Sequence, residues 1–460
     1  MTNPSFNRTG RNLHYERWRW QIFAITWLAY FGFYLTRKTF SVAKIGMEQD
    51  PDVLLTRSEM AWIDGAYLVA YAVGQFLSGI FADRSGTRKV VLVGMSVSVL
   101  AAAAMGASSL TVMLGIFFCL QGACQSTGWA PLMKNMGNFF SQRERGTVIG
   151  LWSTNYAVGG MVASVFAGYW GDLMGWRFAF FIPAATLLGV WVLFILFQRN
   201  RPEDVGLPSI ETYHGEETAV LVEDQSPEHE YKGSWKFFKT AVLVEDQSPE
   251  HEDKGSWKVI KEVLSNRTLL VICLAYFLTK PARYAILFWG PKYINEKLGS
   301  GMTESGAISA LFETAGIAGA ILSGVVSDRV FGARRAPVCV IALVALGGFL
   351  LVMDGLPATR VVMAGSYLLI GLLIFVPDTI LNGPAAIDFG TKQGAATAAG
   401  FINGAGSVGG IIGGTIPGFF ADRWGWNGVF WLLGGMALTA AVVLIPQWNA
   451  MPATALRTKE

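Results

Sequence analysis

Charge is the scarcest commodity in this sequence. Asp, Glu, Lys and Arg make up 15% of the residues, whereas a soluble globular domain carries roughly a quarter. There is too little charge to cover a water-facing surface. Cysteine is scarce too: Cys119, Cys124, Cys273 and Cys339 all lie in apolar runs, which excludes an evenly spaced extracellular disulfide framework. His14, His214, His229 and His251 all fall outside the long apolar segments, so no histidine relays protons through them. A net charge of +3, with no basic cluster interleaved with aromatics outside the membrane segments, is too small to argue for a nucleic-acid partner, and none is expected. Metal-ligand spacing, a phosphate-binding Walker loop and a nucleophile with base and orienter are all missing, so neither an enzyme nor a cofactor is expected. The Gly-rich strings near 400–414 lie in an apolar helix and do not follow a strand. No small-residue cleavage site follows Arg8, Arg11, Arg17 and Arg19, so the first apolar helix is expected to stay in the membrane.

What is present is hydrophobicity: 52% of residues are apolar, mean hydropathy is +0.40, and there are 53 glycines, the small residue that lets helices approach closely in lipid. A spanning helix needs about 20 mostly apolar residues. Such segments occur at 21–46, 59–82, 89–107, 110–135, 147–170, 176–198, 267–290, 304–327, 337–355, 361–382, 395–420 and 427–446. The expected fold is an all-α membrane protein of twelve helices. Its parts are a tail (1–20), a six-helix bundle (21–198), a central loop (199–264), a second six-helix bundle (265–446) and a tail (447–460). Arg84, Arg88 and Lys89 share one side with Arg329, Arg334 and Arg335, with Arg143 and Arg145, and with both tails. The excess of positive charge assigns that side, both termini and the central loop to the cytoplasm, though Lys292 and Lys297 oppose the trend. The central loop is polar and acidic and reads as largely disordered. It carries a tandem copy, TAVLVEDQSPEHE at 218–230 and again at 240–252, each followed by KGSWK. That copy is either a repeated binding motif or a duplication that a slack linker tolerates.

Self-similarity runs through the whole chain. Gly79-x3-Asp83-Arg84-x-Gly86-x-Arg88-Lys89 recurs as Gly324-x3-Asp328-Arg329-x2-Gly332-x-Arg334-Arg335, and Asp83 to Asp328 is an offset of 245. Thr147, Gly150, Val158, Gly159, Gly160, Gly168, Asp172, Gly175 and Trp176 each recur at an offset of 250, ending at Asp422, Gly425 and Trp426. The first motif suits a gate. Its glycine lets helices approach, and its aspartate can pair with basic residues or cap a neighbouring helix. The candidate gating residues are Asp83, Arg84, Arg88, Asp328, Arg329 and Arg334. A duplicated motif of this kind in two six-helix halves resembles the major facilitator superfamily. The resemblance implies a parallel repeat about an axis along the membrane normal, with substrate bound between rocking halves.

Ionisable residues well inside spanning helices are costly and mark function by default. Arg37 and Lys38 in helix 1, and Lys280 and Arg283 in helix 7, are followed by further apolar sequence, so snorkelling explains them poorly. Arg37 to Arg283 is an offset of 246, which makes the two arginines symmetry mates facing one cavity. Two converging guanidiniums suit a dianionic phosphate, because each presents a planar fork of donors. The competing explanation is structural ion pairs to intramembrane acids such as Asp64, Glu313 or Asp378. Tyr30 and Tyr34 precede Arg37 at helical spacing; Tyr67, Tyr71 and Tyr284 offer further hydroxyls, or serve as interface anchors.

RWQIF at 19–23, YLTRKTF at 34–40, STGWAP at 126–131, FFSQRERG at 139–146, RYAILFWGPKYI at 283–294 and RPEDVGLP after helix 6 resemble the organophosphate:phosphate antiporter family. In that family the helix 1 and helix 7 arginines bind the substrate phosphate, which transfers onto Arg37 and Arg283; the family's tyrosines match Tyr30, Tyr34 and Tyr71. Tyr156 stands where the bacterial glycerol-phosphate exchangers have histidine, Gln75 where they have lysine, and Lys280 and Phe375 where they have tyrosines. The candidate binding set is Arg37, Arg283, Lys38, Lys280, Tyr30, Tyr34, Tyr71, Tyr156 and Trp129. Lys280 is an extra cation for a second negative group, as on a phosphoglycerate. The run AYLVAYAVGQFLSG looks closer to the eukaryotic sugar-phosphate exchangers.

The resemblance implies exchange of a sugar phosphate, glycerol 3-phosphate or phosphoglycerate for inorganic phosphate, by a monomer in the lipid bilayer of an inner or plasma membrane. Several uncompensated cations in an empty cavity would resist closure and favour obligatory exchange. Two other readings stay open: a transporter-like sensor of a sugar phosphate, and a proton-coupled symporter of another organic anion using Asp64, Glu313, Asp378 or Asp388.

Overall fold

The computed structural model describes residues 12–53, 55–214, 265–332, 334–382 and 395–450, and these are helical with short connections. In chain order the helices are α1 (Leu13–Arg37), α2 (Thr39–Met47), α3 (Arg57–Ser85), α4 (Thr87–Ala107), α5 (Thr111–Gln125), α6 (Trp129–Phe139), α7 (Gln142–Trp152), α8 (Thr154–Met174) and α9 (Phe178–Phe197). After the short α10 (Ile210–His214) come α11 (Arg267–Leu298), α12 (Met302–Arg329), α13 (Arg335–Val352), α14 (Arg360–Asn382) and α15 (Ala395–Leu444).

Polar side chains start the helices where backbone N–H groups lack partners. Asn12 accepts from the N–H groups of His14 and Tyr15, Asn266 from those of Thr268 and Leu269, and Thr56 and Glu59 form a capping box at α3. Several breaks interrupt a rod without reversing it. Lys38, Ser126 and Ser153 keep right-handed helical backbone, and their N–H groups still bond back to Tyr34, Gly122 and Ile149. The 50 residues of α15 would make a straight rod of about 75 Å, far longer than a bilayer core. Gly425, at φ 64°, folds it into two arms. Counted this way, and with the short α10 left out, the described residues form twelve rods, six on each side of the central loop.

Among the described residues, seven helical stretches are long and apolar enough to cross a membrane: Thr87–Ala107, Phe178–Phe197, Arg267–Leu298, Met302–Ser327, Arg335–Met353, Arg360–Asn382 and Gly400–Gln447. The rods outside this set are interrupted (α1/α2, α5/α6, α7/α8) or carry Asp64 between charged ends (α3). Large apolar side chains such as Leu100, Val112, Ile321, Val361 and Val442 stay more than 60% exposed. A continuous apolar exterior of that kind requires lipid. The chain is an integral, multi-pass membrane protein.

The core is divided to match. One cluster lies within the N-terminal half around Ile22, Phe33, Trp152 and Phe194, and another within the C-terminal half around Tyr276, Leu343, Tyr367 and Leu433. A third joins the halves at one end, where Phe40, Met47 and Trp176 meet Phe288, Trp289 and Met302. At this joined end, which carries Gly175 and Gly425, polar contacts also cross between the halves. The Asp172 carboxylate accepts the N–H groups of Met302 (2.8 Å) and Thr303 (2.7 Å) at the start of α12. Its repeat mate Asp422 reaches the start of α3, accepting from Ser58 Oγ at 3.1 Å with Arg57 Nε at 3.8 Å. Arg57 also pairs with Glu296 at 2.9 Å, and the buried Lys292 pairs with Glu48 across the interface. Trp176 donates to Asp50 at 2.7 Å; together with the Asp52 N–H this holds the Asp50 carboxyl below the usual aspartate range.

Two features go beyond what the sequence analysis specified. The helices extend beyond the hydropathic cores, α1 beginning at Leu13 and α11 ending at Leu298, because capped helical turns continue into polar sequence. Residues 199–214, within the stretch expected to be largely disordered, are folded. Tyr213 stacks on Tyr15 at 4.0 Å, Tyr15 donates to the Pro208 carbonyl, and Leu207 and Ile210 are buried against them. The tandem copy lies outside the described residues.

Candidate functional site

Between the halves, below the joined end, is a cavity with room for water centres over about 80 Å³. Tyr34, Arg37, Tyr67, Leu68, Tyr71, Tyr156 and Ala157 line it from one half, and Arg283, Tyr284, Leu287, Phe288, Glu313 and Phe375 from the other.

Arg37 is the last residue of α1, set just before the break at Lys38. Its Nε donates to Gln125 Oε1 at 3.0 Å, and Tyr67 donates to the same oxygen at 2.8 Å. Gln125 is itself fixed by donating to Thr36 Oγ1, and Gln121 donates to the Thr36 carbonyl. The guanidinium carbon lies 4.4 Å from the Tyr34 ring and 4.7 Å from the Tyr71 ring, a cation–π sandwich. Among the described residues Arg37 makes no ion pair, and its buried Nη2 has no hydrogen-bond partner. A charged donor is thus held out by neutral groups alone.

Arg283 projects from α11 one turn after Lys280, with Pro281 between them. It is ion-paired to Asp378 of α14, which also takes Lys280 Nζ at 2.7 Å and the Tyr276 hydroxyl at 3.2 Å. Phe375 packs on the guanidinium at 4.5 Å. Lys38 lies 3.8 Å from Glu313 and donates to the Leu287 carbonyl across the interface. Lys44, closer to the joined end, is fully buried with Asp64 and donates to the Phe288 carbonyl.

Several expected positions meet in this one place. Arg37, Arg283, Tyr34, Tyr71 and Tyr156 line the cavity, while Lys38 and Lys280 flank it behind their carboxylates. Tyr30 and Trp129 stand behind the lining: their rings lie 5.4 Å apart, and Tyr30 is 5.6 Å from Tyr34. Asp378 contacts both Lys280 and Arg283, and Glu313 stands near Lys38, so two carboxylates face four cations, and Arg37 is the one of the four without a carboxylate partner among the described residues. Lys280 is held by Asp378 at 2.7 Å. Gln125 was not anticipated, although the spacing of Gln121 and Gln125, one turn apart in an apolar run, marks a polar stripe.

The side chains of Asp83 and Asp328 lie outside the described residues. Arg84 and Arg329 are exposed. Arg88 donates to the Ile195 carbonyl at 2.5 Å and Arg334 to the Phe331 carbonyl at 3.0 Å, each inside its own half. All four cysteines are free.

Comparison with known proteins agrees with this construction. Residues 26–399 match the Major Facilitator Superfamily model. The chain is 31% identical over 443 residues to the glycerol-3-phosphate transporter of Bacillus subtilis, covering 95% of this chain and 93% of that one. It is 30% identical to a probable hexose phosphate transport protein of Chlamydia trachomatis, covering 95% and 92%. It is also 27% identical to a membrane sensor protein of Escherichia coli, covering 95% and 93%. A bacterial homolog of the human lysosomal transporter Spinster, solved inward-facing and unoccupied, shares the fold at a TM-score of 0.67 with 13% identity, covering 96% and 97%. The chain belongs to the major facilitator superfamily and, within it, to the organophosphate:phosphate antiporter family.

Proposed function

We propose that this membrane protein is a secondary active transporter that exchanges a phosphorylated small metabolite for inorganic phosphate by alternating access. The observation that carries the reading is the meeting of Arg37 and Arg283, one from each half, in a single cavity closed at one end. Arg37 offers unused donors to a phosphate oxygen, and Arg283 offers a fork now occupied by a carboxylate. A phosphate that bonds both arginines pulls the halves together around itself; the joined end then releases, and the opposite end closes. Arg37, Arg283, Tyr34, Tyr71 and Tyr156 hold the substrate, Lys38 and Lys280 support it through Glu313 and Asp378, and Tyr30 and Trp129 brace the wall.

The positive-charge asymmetry supports an orientation with the termini and the central loop in the cytoplasm of an inner or plasma membrane. The end bearing Gly86 and Gly332 then faces the cytoplasm, and Asp83, Arg84, Arg88, Asp328, Arg329 and Arg334 act there as the second gate. Both arginines come from one chain, which supports a working monomer.

Labelled phosphate uptake into phosphate-loaded proteoliposomes tests the reading. No exchange by the wild type, or undiminished exchange by Arg37→Ala, would sink it. The similarity to a membrane sensor protein supports a second reading, in which a sugar phosphate binds without being carried. Binding without flux, with a protein partner lost on deletion of 218–252, would select it.

A further inference from the structure

We propose that Pro291 builds a latch at the joined end. It strips one carbonyl of α11 of its helical partner, and a lysine of the opposite half takes that carbonyl only while the end is closed. Pro281 and Pro291 both lie inside α11. A proline has no N–H, so the carbonyl four residues before it loses its helical donor and is pushed aside by the ring. For Pro291 that carbonyl belongs to Leu287, and Lys38 Nζ donates to it at 3.2 Å from the other half. In a spanning helix a carbonyl freed in this way has to find its donor inside the protein. Pro281 frees the carbonyl of Phe277 by the same rule, but that one is packed against Gly409 of α15, within its own half. Of the two, Leu287 is the carbonyl answered across the interface.

A second lysine engages beside the first. Lys44 Nζ donates to the Phe288 carbonyl at 3.1 Å and lies 3.8 Å from the centre of the Trp289 ring, while Asp64 of its own half holds it. That pair is neutral and stays within the N-terminal half, so Lys44 keeps a partner when the halves part. The two repeats divide the parts between them. At the offset of 246 that relates Arg37 to Arg283, Pro291 corresponds to Ile45, and Lys38 and Lys44 correspond to Tyr284 and Gly290. One half supplies both lysines, and the other supplies the proline and both carbonyls. Opening the end withdraws the lysines and leaves the Leu287 carbonyl to the water that enters. The closed end is favoured by the margin of a charged donor over water.

The inference builds on the alternating-access reading, and distances across the joined end test it without any flux. Spin labels carried on unnatural residues at Asp52 and Ala358, an exposed position of each half, leave the four cysteines in place. In the absence of phosphate, Pro291→Ala gives Leu287 its helical donor back and should raise the open fraction about tenfold. Its melting temperature should stay at or above the wild-type value, because a proline has left a helix interior. In a Lys38→Met background Pro291→Ala should add no further opening, since both changes remove the same bond. Lys44→Met with Asp64→Leu, which removes the neighbouring pair without stranding a charge, should open the end by itself and leave the effect of Pro291→Ala in place. Should Pro291→Ala fail to fold, Pro291→Gly also restores the N–H and carries the test. An unchanged distance distribution in the folded variant overturns the proposal, as does an effect of Pro291→Ala that persists in full in the Lys38→Met background. A wild type that exchanges no phosphate fails the transport reading and leaves these distances to decide the latch.

Discussion

The two halves present the same arginine in opposite electrostatic settings. Arg283 is tied to a carboxylate that a lysine and a tyrosine hydroxyl also hold. Arg37 is positioned by an amide oxygen, two aromatic faces and no counter-ion among the described residues. The repeat that created the pair thus preserved the cation and changed its surroundings. One half arrives with an anion already in place; the other waits for one. On the proposed reading, an incoming phosphate would find Arg37 unopposed and would have to take Arg283 from Asp378, a carboxylate that keeps Lys280 when it lets go. Charge-assisted hydrogen bonds on both sides make that exchange close to balanced.

Removing one arginine at a time tests the asymmetry most severely. Arg37→Ala deletes the unopposed cation and should lower phosphate exchange by on the order of 100-fold or more, since a lone buried partner of an ion pair costs several kcal/mol. Arg283→Ala should cost less, because Lys280 still holds Asp378 and Arg37 still meets the phosphate. Exchange rates in proteoliposomes at matched reconstitution read both. Equal losses would show that the two arginines are used alike despite their settings.

A subtler variant makes the halves alike. Gln125→Glu, nearly the same shape, gives Arg37 the carboxylate that it lacks, at a site where the amide oxygen already accepts from Arg37 Nε at 3.0 Å. Apparent affinity for phosphate should fall by on the order of tenfold, because the phosphate must then displace an anion on both sides. Adding Tyr67→Phe, which removes the second donor to that oxygen, leaves the new carboxylate leaning on Arg37 alone and should deepen the loss. A rise in affinity for Gln125→Glu would break the account.

These contrasts were only partly legible in the sequence, and the physical reasons differ by residue. The halves could be read because their repeats include turns that only glycine enters easily. Gly86 and Gly332 sit at φ 80° and 57°, and Gly175 and Gly425 at 94° and 64°, so each pair resisted substitution on both copies. Arg37 and Arg283 stood out because apolar sequence surrounds them. Which acid answers Arg283 could not be read: Asp64, Glu313 and Asp378 are all buried acids, and the choice depends on how α3, α12 and α14 are rotated in the bundle. Lys44 carries no signal of its own in the sequence, yet it is buried and pairs with Asp64. Residues 199–214 looked like linker because their composition is polar, and three side chains, Leu207, Ile210 and Tyr213, suffice to dock them on Tyr15.

The joined end repeats the contrast at smaller scale. Asp172 caps α12 through two backbone N–H groups, whereas Asp422 meets α3 through a serine hydroxyl and a more distant arginine. Loss of a helix cap costs about 1 kcal/mol, which corresponds to a shift of roughly fivefold in an equilibrium between closed and open ends. Asp172→Ala should therefore open this end several-fold more often, and Asp422→Ala by less. Spin-label distances across the end, compared with and without phosphate, measure both populations. A larger opening for Asp422→Ala would show that the arginine and serine contacts hold the end and the helix cap does not.

The smallest effect concerns the tryptophans of the same repeat. Trp176 donates to Asp50 at 2.7 Å and Trp426 to Glu296 at 2.6 Å, but Glu296 also has Arg57 and Lys292, whereas the described ion pairs leave Asp50 out. The Asp50 carboxyl is held below its ordinary value, first by the Trp176 indole and then by the Asp52 N–H. A depressed carboxyl contributes stability that is present above its unfolded pKa, about 3.9, and lost as pH falls through the folded value. Trp176→Phe removes the first of those donors, so its melting temperature should fall less steeply than the wild type's as pH drops below about 4. Trp426→Phe leaves Glu296 its two cations and should keep the wild-type slope. Melting curves in detergent between pH 3 and 7 compare the three proteins, with the range set around the ordinary carboxylate values. Parallel curves for both variants would mean that the indole of Trp176 serves Asp50 no better than that of Trp426 serves Glu296, and the asymmetry between the halves would stop at the cavity.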